Sequence, residues 1–295
     1  MQKRLLVSIF NVIRGLRMKI ELTQGSIIAD IRSEKYDNLR CKGIIISARC
    51  DFAQDKIKQF HYLSAMDIKD WIFEELYYTI VEECIKSEKG QIRKCAERYR
   101  LDFSTLESFG YEKMKEVLKH HVSKKELISA LESCEKCERY EKLLVVKDRK
   151  KQKEFLREKT CKKKLISKVN ALLCSAYPKF AFIPQKGYMN SELLTRGLVV
   201  DLQDIHQIDM KFREGLLNNE YDYQLINDEE LRKELNRYFF FENENDFIIV
   251  EGTVQSPWIE YTMQMFAHSF IRIGVDNASQ EEIEKFCNDF LEEEK

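Results

Sequence analysis

A thiol, a carboxylate and an imidazole stand close together near the start of the chain. In Gly43-Ile44-Ile45-Ile46-Ser47-Ala48-Arg49-Cys50-Asp51 an apolar run delivers Cys50 and Asp51 at its polar end, and His61 lies on the next strand-like run. A neighbouring imidazole favours the thiolate, so Cys50 with His61 has the makings of a cysteine nucleophile. No oxyanion-hole motif accompanies the pair, and an Asp in this position more often satisfies backbone N–H groups in a turn. A second group, Asp201, Asp204, His206 and Asp209, follows the Leu198–Leu202 run in VVDLQDIHQID. Oxygen ligands with one imidazole suit a divalent ion and metal-assisted hydrolysis of the nuclease type. Glu251-Gly252-Thr253 lacks the lysine of an E-x-K element, however, and an Asp-rich loop is the competing reading. A third set, Glu260, Gln264, His268 and Arg272, repeats every four residues and therefore shares one helical face. Facing a cleft, it would supply an acid, a base and an anion clamp; facing water, it is an ordinary polar side.

Two further features concern metals and polyanions. Cys134-Glu135-Lys136-Cys137 is a CxxC, which offers two of the four ligands a structural zinc needs. Cys161, Cys41 or Cys50 would have to complete the site, and helix packing of the two thiols is favoured over zinc, so no cofactor is expected. Lys147–Lys168 holds eleven basic residues against three acidic ones. Lys150, Lys151, Arg157, Lys162, Lys163 and Lys164 are the candidates for contact with nucleic-acid phosphates. Phe155 is the single aromatic of that stretch, so base stacking is not indicated. A solvated helix face, satisfied by the acidic stretches 219–246 and 280–295, is the plainer alternative.

The elements that must position these residues fall into sections. Residues 1–17 carry Leu5, Ile9, Val12, Ile13 and Leu16 at positions that share one helical face and are expected to be an amphipathic extension. Residues 18–68 are a β module with strands at Ser26–Ile31, Gly43–Ser47 and Phe60–Met66. Residues 69–176 are helical and free of proline, with breaks expected near Gly90 and at Phe103–Gly110. A helix through Leu127 and Tyr140 to about Lys147 and a charged one to about Leu173 are expected to pair as a hairpin. Residues 177–295 are mixed, with strands at Phe180–Pro184, Gly197–Leu202 and Asp246–Glu251. Helices are expected at Met210–Leu217, at Asp228–Tyr238, from Ser256-Pro257 onward, and over the acidic 280–295. The fold class is α+β: a small curled antiparallel sheet, a long helical insertion, and a mixed part sharing a core with the β module.

Composition narrows the class of activity. The 295 residues are 44% hydrophobic and 34% charged, which excludes wholesale disorder. With 49 Lys+Arg against 50 Asp+Glu the net charge is -1, so the whole protein is not a basic nucleic-acid coat. Nine cysteines without a disulfide-like spacing indicate a reducing, cytoplasmic setting, and no apolar run is long enough to span a bilayer.

Two segments together, GIIISARCDF and SPWIEYTMQMFAHSFIRIGV, resemble a loosely defined group of bacterial proteins with an "IISxxCD" β module. GLVVDLQDI behind an aromatic-Phe-Ile-Pro strand is a weaker match. Ala48-Arg49 departs from the small or amide pair expected before Cys-Asp. The resemblance implies an accessory protein near mobile-element or phage-defence genes; it brings no activity and no catalytic residue. A non-enzymatic interaction protein, docking a partner such as an ATPase or effector through its helices, is the leading expectation. A metal-dependent hydrolase using Asp51, Asp201 and Asp204 with His206 or His268 is the second, and a nucleic-acid-binding module the third.

Overall fold

The computed structural model describes residues 21–54, 57–187 and 197–271. The first section supplies strands β1 (Ser26–Ile31), β2 (Cys41–Ile45) and β3 (Gln59–Asp67); the last supplies β4 (Phe180–Ile183), β5 (Leu198–Asp209) and β6 (Val250–Thr253). All six join one curled antiparallel sheet in the order β4-β5-β3-β2-β1-β6, and the fold is α+β. Side-chain alternation decides the layers. On β3, Phe60, Tyr62 and Met66 enter one core, while Leu63 and Ala65 enter another on the opposite face.

The helices are α1 (Arg49–Ala53), α2 (Ile68–Trp71), α3 (Tyr77–Arg98), α4 (Phe103–Ser108), α5 (Gly110–His121), α6 (Lys124–Leu143), α7 (Arg149–Leu156), α8 (Lys159–Leu173), α9 (Arg213–Asn218), α10 (Glu229–Tyr238) and α11 (Trp258–Ile271). A π-helical turn, Ile72–Leu76, joins α2 to α3. Helices α2, α3, α7 and α8 cover one sheet face through Trp71, Tyr77, Phe155 and Cys161. On the other face lies α11, with Ile259 buried and Trp258, Met263 and Phe266 packed beside it. Away from the sheet, α3 to α6 enclose a separate core around Ile92, Met114 and Leu118. Aspartates start several of these helices by accepting orphan N–H groups: Asp67 from Lys69, Asp102 from Thr105, Asp148 from Lys150 and Lys151, Asp228 from Glu230 and Leu231.

Several boundaries differ from the sequence expectation, for local reasons. Gly90 does not break a helix; it sits inside α3 with open space around it. The break comes at Tyr99–Asp102, where Arg100 takes a left-handed φ of 55° and Leu101 N–H donates to Ala96 O. The basic stretch is two helices, separated at Arg157–Glu158. Helix α6 lies along α3 rather than pairing with α8. Helix α11 opens at Trp258, directly after Ser256-Pro257, and the Trp258 N–H donates to Gln255 O. The expected extension 1–17, the acidic helix 280–295 and Arg272 lie outside the described residues. Among the described residues, no helix is long and apolar enough to cross a membrane.

Gly43 is where β2 must stay small. A Cβ there would stand 2.9 Å from Tyr62 Cδ2 and 3.1 Å from Ile31 Cγ2. Gly43→Ala therefore pushes the Tyr62 ring, and we expect a loss of about 1–3 kcal/mol of stability, read as a lower denaturant midpoint at unchanged m-value.

Candidate functional site

The polar groups that converge do so because β5 bulges. Leu63 pairs with Ile205 and Ala65 with Val200, so one residue of β3, Ser64, faces four of β5, Asp201–Asp204. The three extra residues reverse the alternation: Val199 and Ile208, an odd number apart, point into the same core. Asp201, Asp204 and His206 are thereby brought into one polar row near Tyr62.

Asp201 is fully buried and accepts three hydrogen bonds: from Lys35 Nζ at 2.7 Å, Tyr36 Oη at 2.7 Å and Gln203 N at 2.9 Å. Lys35 also reaches Glu75 Oε1 at 2.6 Å, and the Tyr36 hydroxyl lies 2.9 Å from the same oxygen. Glu75 comes from the π-helical turn, a widening of the helix often associated with functional sites. Burial alone would lower the Lys35 pKa; its hydrogen bonds and charge attraction to Asp201 and Glu75 outweigh this and raise it. Burial, with the same two carboxylates, pushes the Tyr36 hydroxyl up. Both groups are held protonated, so the cluster is unsuited to passing a proton at neutral pH.

Asp204 forms the outer half of the row. Ser33 Oγ donates to Oδ2 at 2.7 Å, and His206 Nε2 lies 2.9 Å from Oδ1. Burial would raise Asp204, but the bonds from His206 and Ser33 prevail and lower it to about 2. The His206 imidazole stacks on Tyr62 with centroids 5.4 Å apart. Both rings line an open cleft of about 370 Å³ with Glu34 and Arg237. Arg32 at its edge is already engaged by Asn236, Glu242 and the Phe239 carbonyl. An Asp–His pair beside a cleft can orient a base. Here no Ser, Thr or Cys hydroxyl or thiol is bonded to His206 among the described residues, and burial pushes the nearby Cys41 thiol up.

The other sequence candidates are dispersed. Cys50 and Asp51 do not end a strand but sit in the short α1, where Cys50 Sγ lies 3.7 Å from Asp51 Oδ1. His61 is exposed; its backbone N–H donates to Ser47 Oγ, and its residue borders the His206 cleft. The VVDLQDIHQID segment is strand rather than loop, and Asp209 accepts from Gln59. His268 lines a different hollow, with Ser175 and Met265, while Glu260 and Gln264 face solvent. Cys134 and Cys137 are buried in the α3–α6 core, against Met114 Sδ and near Ile85 O. Burial raises the two thiols to about 12 and about 11. Among the described residues no group of three His, Cys, Asp or Glu has a metal-binding arrangement.

The basic helices divide in two. Arg149 pairs with Asp70 and Glu74, and Lys164 and Lys168 clasp Glu83. Lys150, Lys151, Lys153, Arg157, Lys159, Lys162 and Lys163 are exposed and enter no ion pair among the described residues. Phe155 is buried, so no aromatic of α7 or α8 faces outward. Beside the lysines of α8, Ile166 and Leu173 are 59% and 50% exposed. Sequence spacing alone missed Ser33, Lys35 and Tyr36, which lie 165 residues or more from Asp201 and Asp204, and Glu75, which lies 39 residues from Tyr36; the polar Ser33–Tyr36 stretch after β1 was the one visible signal. Protein-family models, curated proteins and solved structures contain no match to this chain.

Asp204 gives a pH signature. Its folded pKa of about 2 lies below the ordinary 3.8, so its contribution is fully present above about pH 4 and lost as pH falls through 2. We expect Asp204→Asn to remove about 2 kcal/mol of stability at pH 7 and to flatten the loss between pH 4 and 2, read by denaturant titration at each pH.

Proposed function

We propose that the chain is a non-enzymatic interaction protein whose working surface is the outer face of α8 with the adjoining lysines of α7, and that this face docks an acidic surface of a partner protein. The observation that carries the reading is the pairing of unengaged cations with exposed apolar side chains on one helix: Lys159, Lys162 and Lys163 beside Ile166 and Leu173. Phosphate backbones attract lysine but offer nothing to Ile166, and single-strand binding needs outward aromatics, which this face lacks. A protein surface satisfies both halves of the face. The acids and bases of the sheet, by contrast, are consumed by one another. The resemblance of GIIISARCDF and SPWIEYTMQMFAHSFIRIGV to bacterial accessory proteins supports the same reading, with a defence-associated ATPase or effector as the partner.

The test is affinity purification from the native host followed by reconstitution with the purified partner. Binding is expected to be lost with Lys159→Glu/Lys162→Glu/Lys163→Glu and weakened about tenfold or more with Ile166→Asp, but kept with Lys113→Glu/Lys119→Glu on α5. A partner bound equally by all variants, or a chain retained on nucleic acid in a salt-sensitive way that these lysines control, contradicts the proposal.

A further inference from the structure

The bulge of β5 leaves a length of sheet edge without a neighbouring strand. In a strand, the N–H and C=O of one residue point to the same side, and successive residues alternate. Ile46 N–H donates to His61 O, so His61 turns its backbone toward β2 and Tyr62 toward β5. Met210 N–H donates to Lys58 O, which likewise sets His206, Ile208 and Met210 toward β3. Ile205 and Gln207 therefore turn their backbone groups outward. Before the bulge that outer side is occupied: β4 pairs with residues 198–201, and Leu202 N–H donates to Lys179 O at 3.0 Å. Beyond it β4 has ended, and among the described residues nothing bonds the outward N–H and C=O of Ile205 and Gln207. Such an edge is a template for another strand.

The same residues line the cleft of about 370 Å³, together with Arg237 and Tyr238 from the last turn of α10. Two side chains at this cleft lack the partner their chemistry calls for. Tyr62 is only 1% exposed, yet its hydroxyl makes no hydrogen bond among the described residues. Arg237 is exposed and enters neither a hydrogen bond nor an ion pair there. Both groups donate, so an oxygen acceptor satisfies both. Two guanidinium groups, Arg32 and Arg237, line the cleft against one carboxylate, Glu34. A carboxylate side chain is the acceptor that also answers this charge. A helix would bring no free backbone groups to the edge, because its own are bonded internally. An extended chain brings both, main-chain groups for Ile205 and Gln207 and alternate side chains for the cleft.

We propose that the edge of β5 at residues 205–207 binds an extended acidic peptide of a partner protein as an added strand, with an Asp or Glu side chain taken by Arg237 and the Tyr62 hydroxyl. The added strand continues the sheet where β4 leaves off and covers the exposed side chain of Ile205. This site uses none of the residues of the α8 face and stands or falls apart from it.

The test is nuclear magnetic resonance of the full nitrogen-15-labelled chain, titrated to millimolar concentration with the capped peptide acetyl-Thr-Val-Glu-Val-Thr-amide. The expected result is a shift of the amides of residues 205–207. Hydrogen exchange at Ile205 and Gln207 should also slow by about tenfold at nine-tenths occupancy, since only the free fraction exchanges. Replacing Glu by Lys in the peptide is expected to weaken binding about tenfold or more, and Arg237→Glu to reverse that preference. Tyr62→Phe, which keeps the ring, should weaken the Glu peptide several-fold. Ile205 and Gln207 amides already protected in the free chain would overturn the proposal, because the edge would then be covered by the chain itself or by a second copy. No shift up to millimolar peptide, shifts without slowed exchange, or equal binding of the Glu and Lys peptides would each overturn it too. Shifts confined to Lys159, Lys162 and Lys163 would place the acidic peptide on α8 and reject the β5 site while keeping the docking face.

Discussion

A carboxylate with no access to water must be compensated where it stands, and Asp201 sets that demand at the centre of this molecule. Three separate pieces of chain answer it. The bulge of β5 turns Asp201 toward the helical side of the sheet, the stretch after β1 brings Lys35 and Tyr36, and the π-helical turn supplies Glu75 as a second anchor for the same ammonium. Two irregularities, one in a strand and one in a helix, thus meet at one ion network. That network fixes how the helical section leaves the sheet: α2 continues directly from β3, and Trp71 is locked edge-on between Tyr177 and Phe180.

The same economy governs the other polar residues that stand out in the sequence. Lys35 and Tyr36 are held protonated, Asp204 is held ionised by Ser33 and His206, and the CxxC thiols are core side chains kept neutral by burial. Charge on the helices is treated differently. Lys164 and Lys168 pin α8 to α3 through Glu83, while the lysines one face over remain open. Helix α8 is therefore anchored by Cys161, Leu172 and these ion pairs, and its opposite side is exposed.

Much of the architecture was legible because it depends on local periodicity. The β-branched runs at Ser26–Ile31 and Phe60–Met66 and the apolar spacing from Trp71 to Cys84 need no distant information to declare strand and helix. The strand through Asp201 was cut short at Leu202 because DLQDIHQID is polar, and its continuation depends on pairing with β3, which a single segment does not display. Gly90 misled because helix propensity is a weak force against packing on both sides. The network at Asp201 was half visible. Its acids stood out by type, but Lys35 and Glu75 are remote in sequence and become partners only through the bulge and the π-helical turn. The basic run was visible as charge; which lysines are spoken for depended on Asp70, Glu74 and Glu83 arriving from other helices.

The central claim is that the Asp201 network is a structural tie, and the proposed docking face is the outer side of α8. Equilibrium unfolding of Lys35→Met, alone and with Asp201→Leu, addresses it directly. The account predicts that Lys35→Met loses about 3–5 kcal/mol, because a fully buried carboxylate is stranded, and that the double variant regains a large part of that loss. A Lys35→Met protein of near wild-type stability that no longer binds its partner would contradict it, and would move the functional centre from α8 to the bulge of β5.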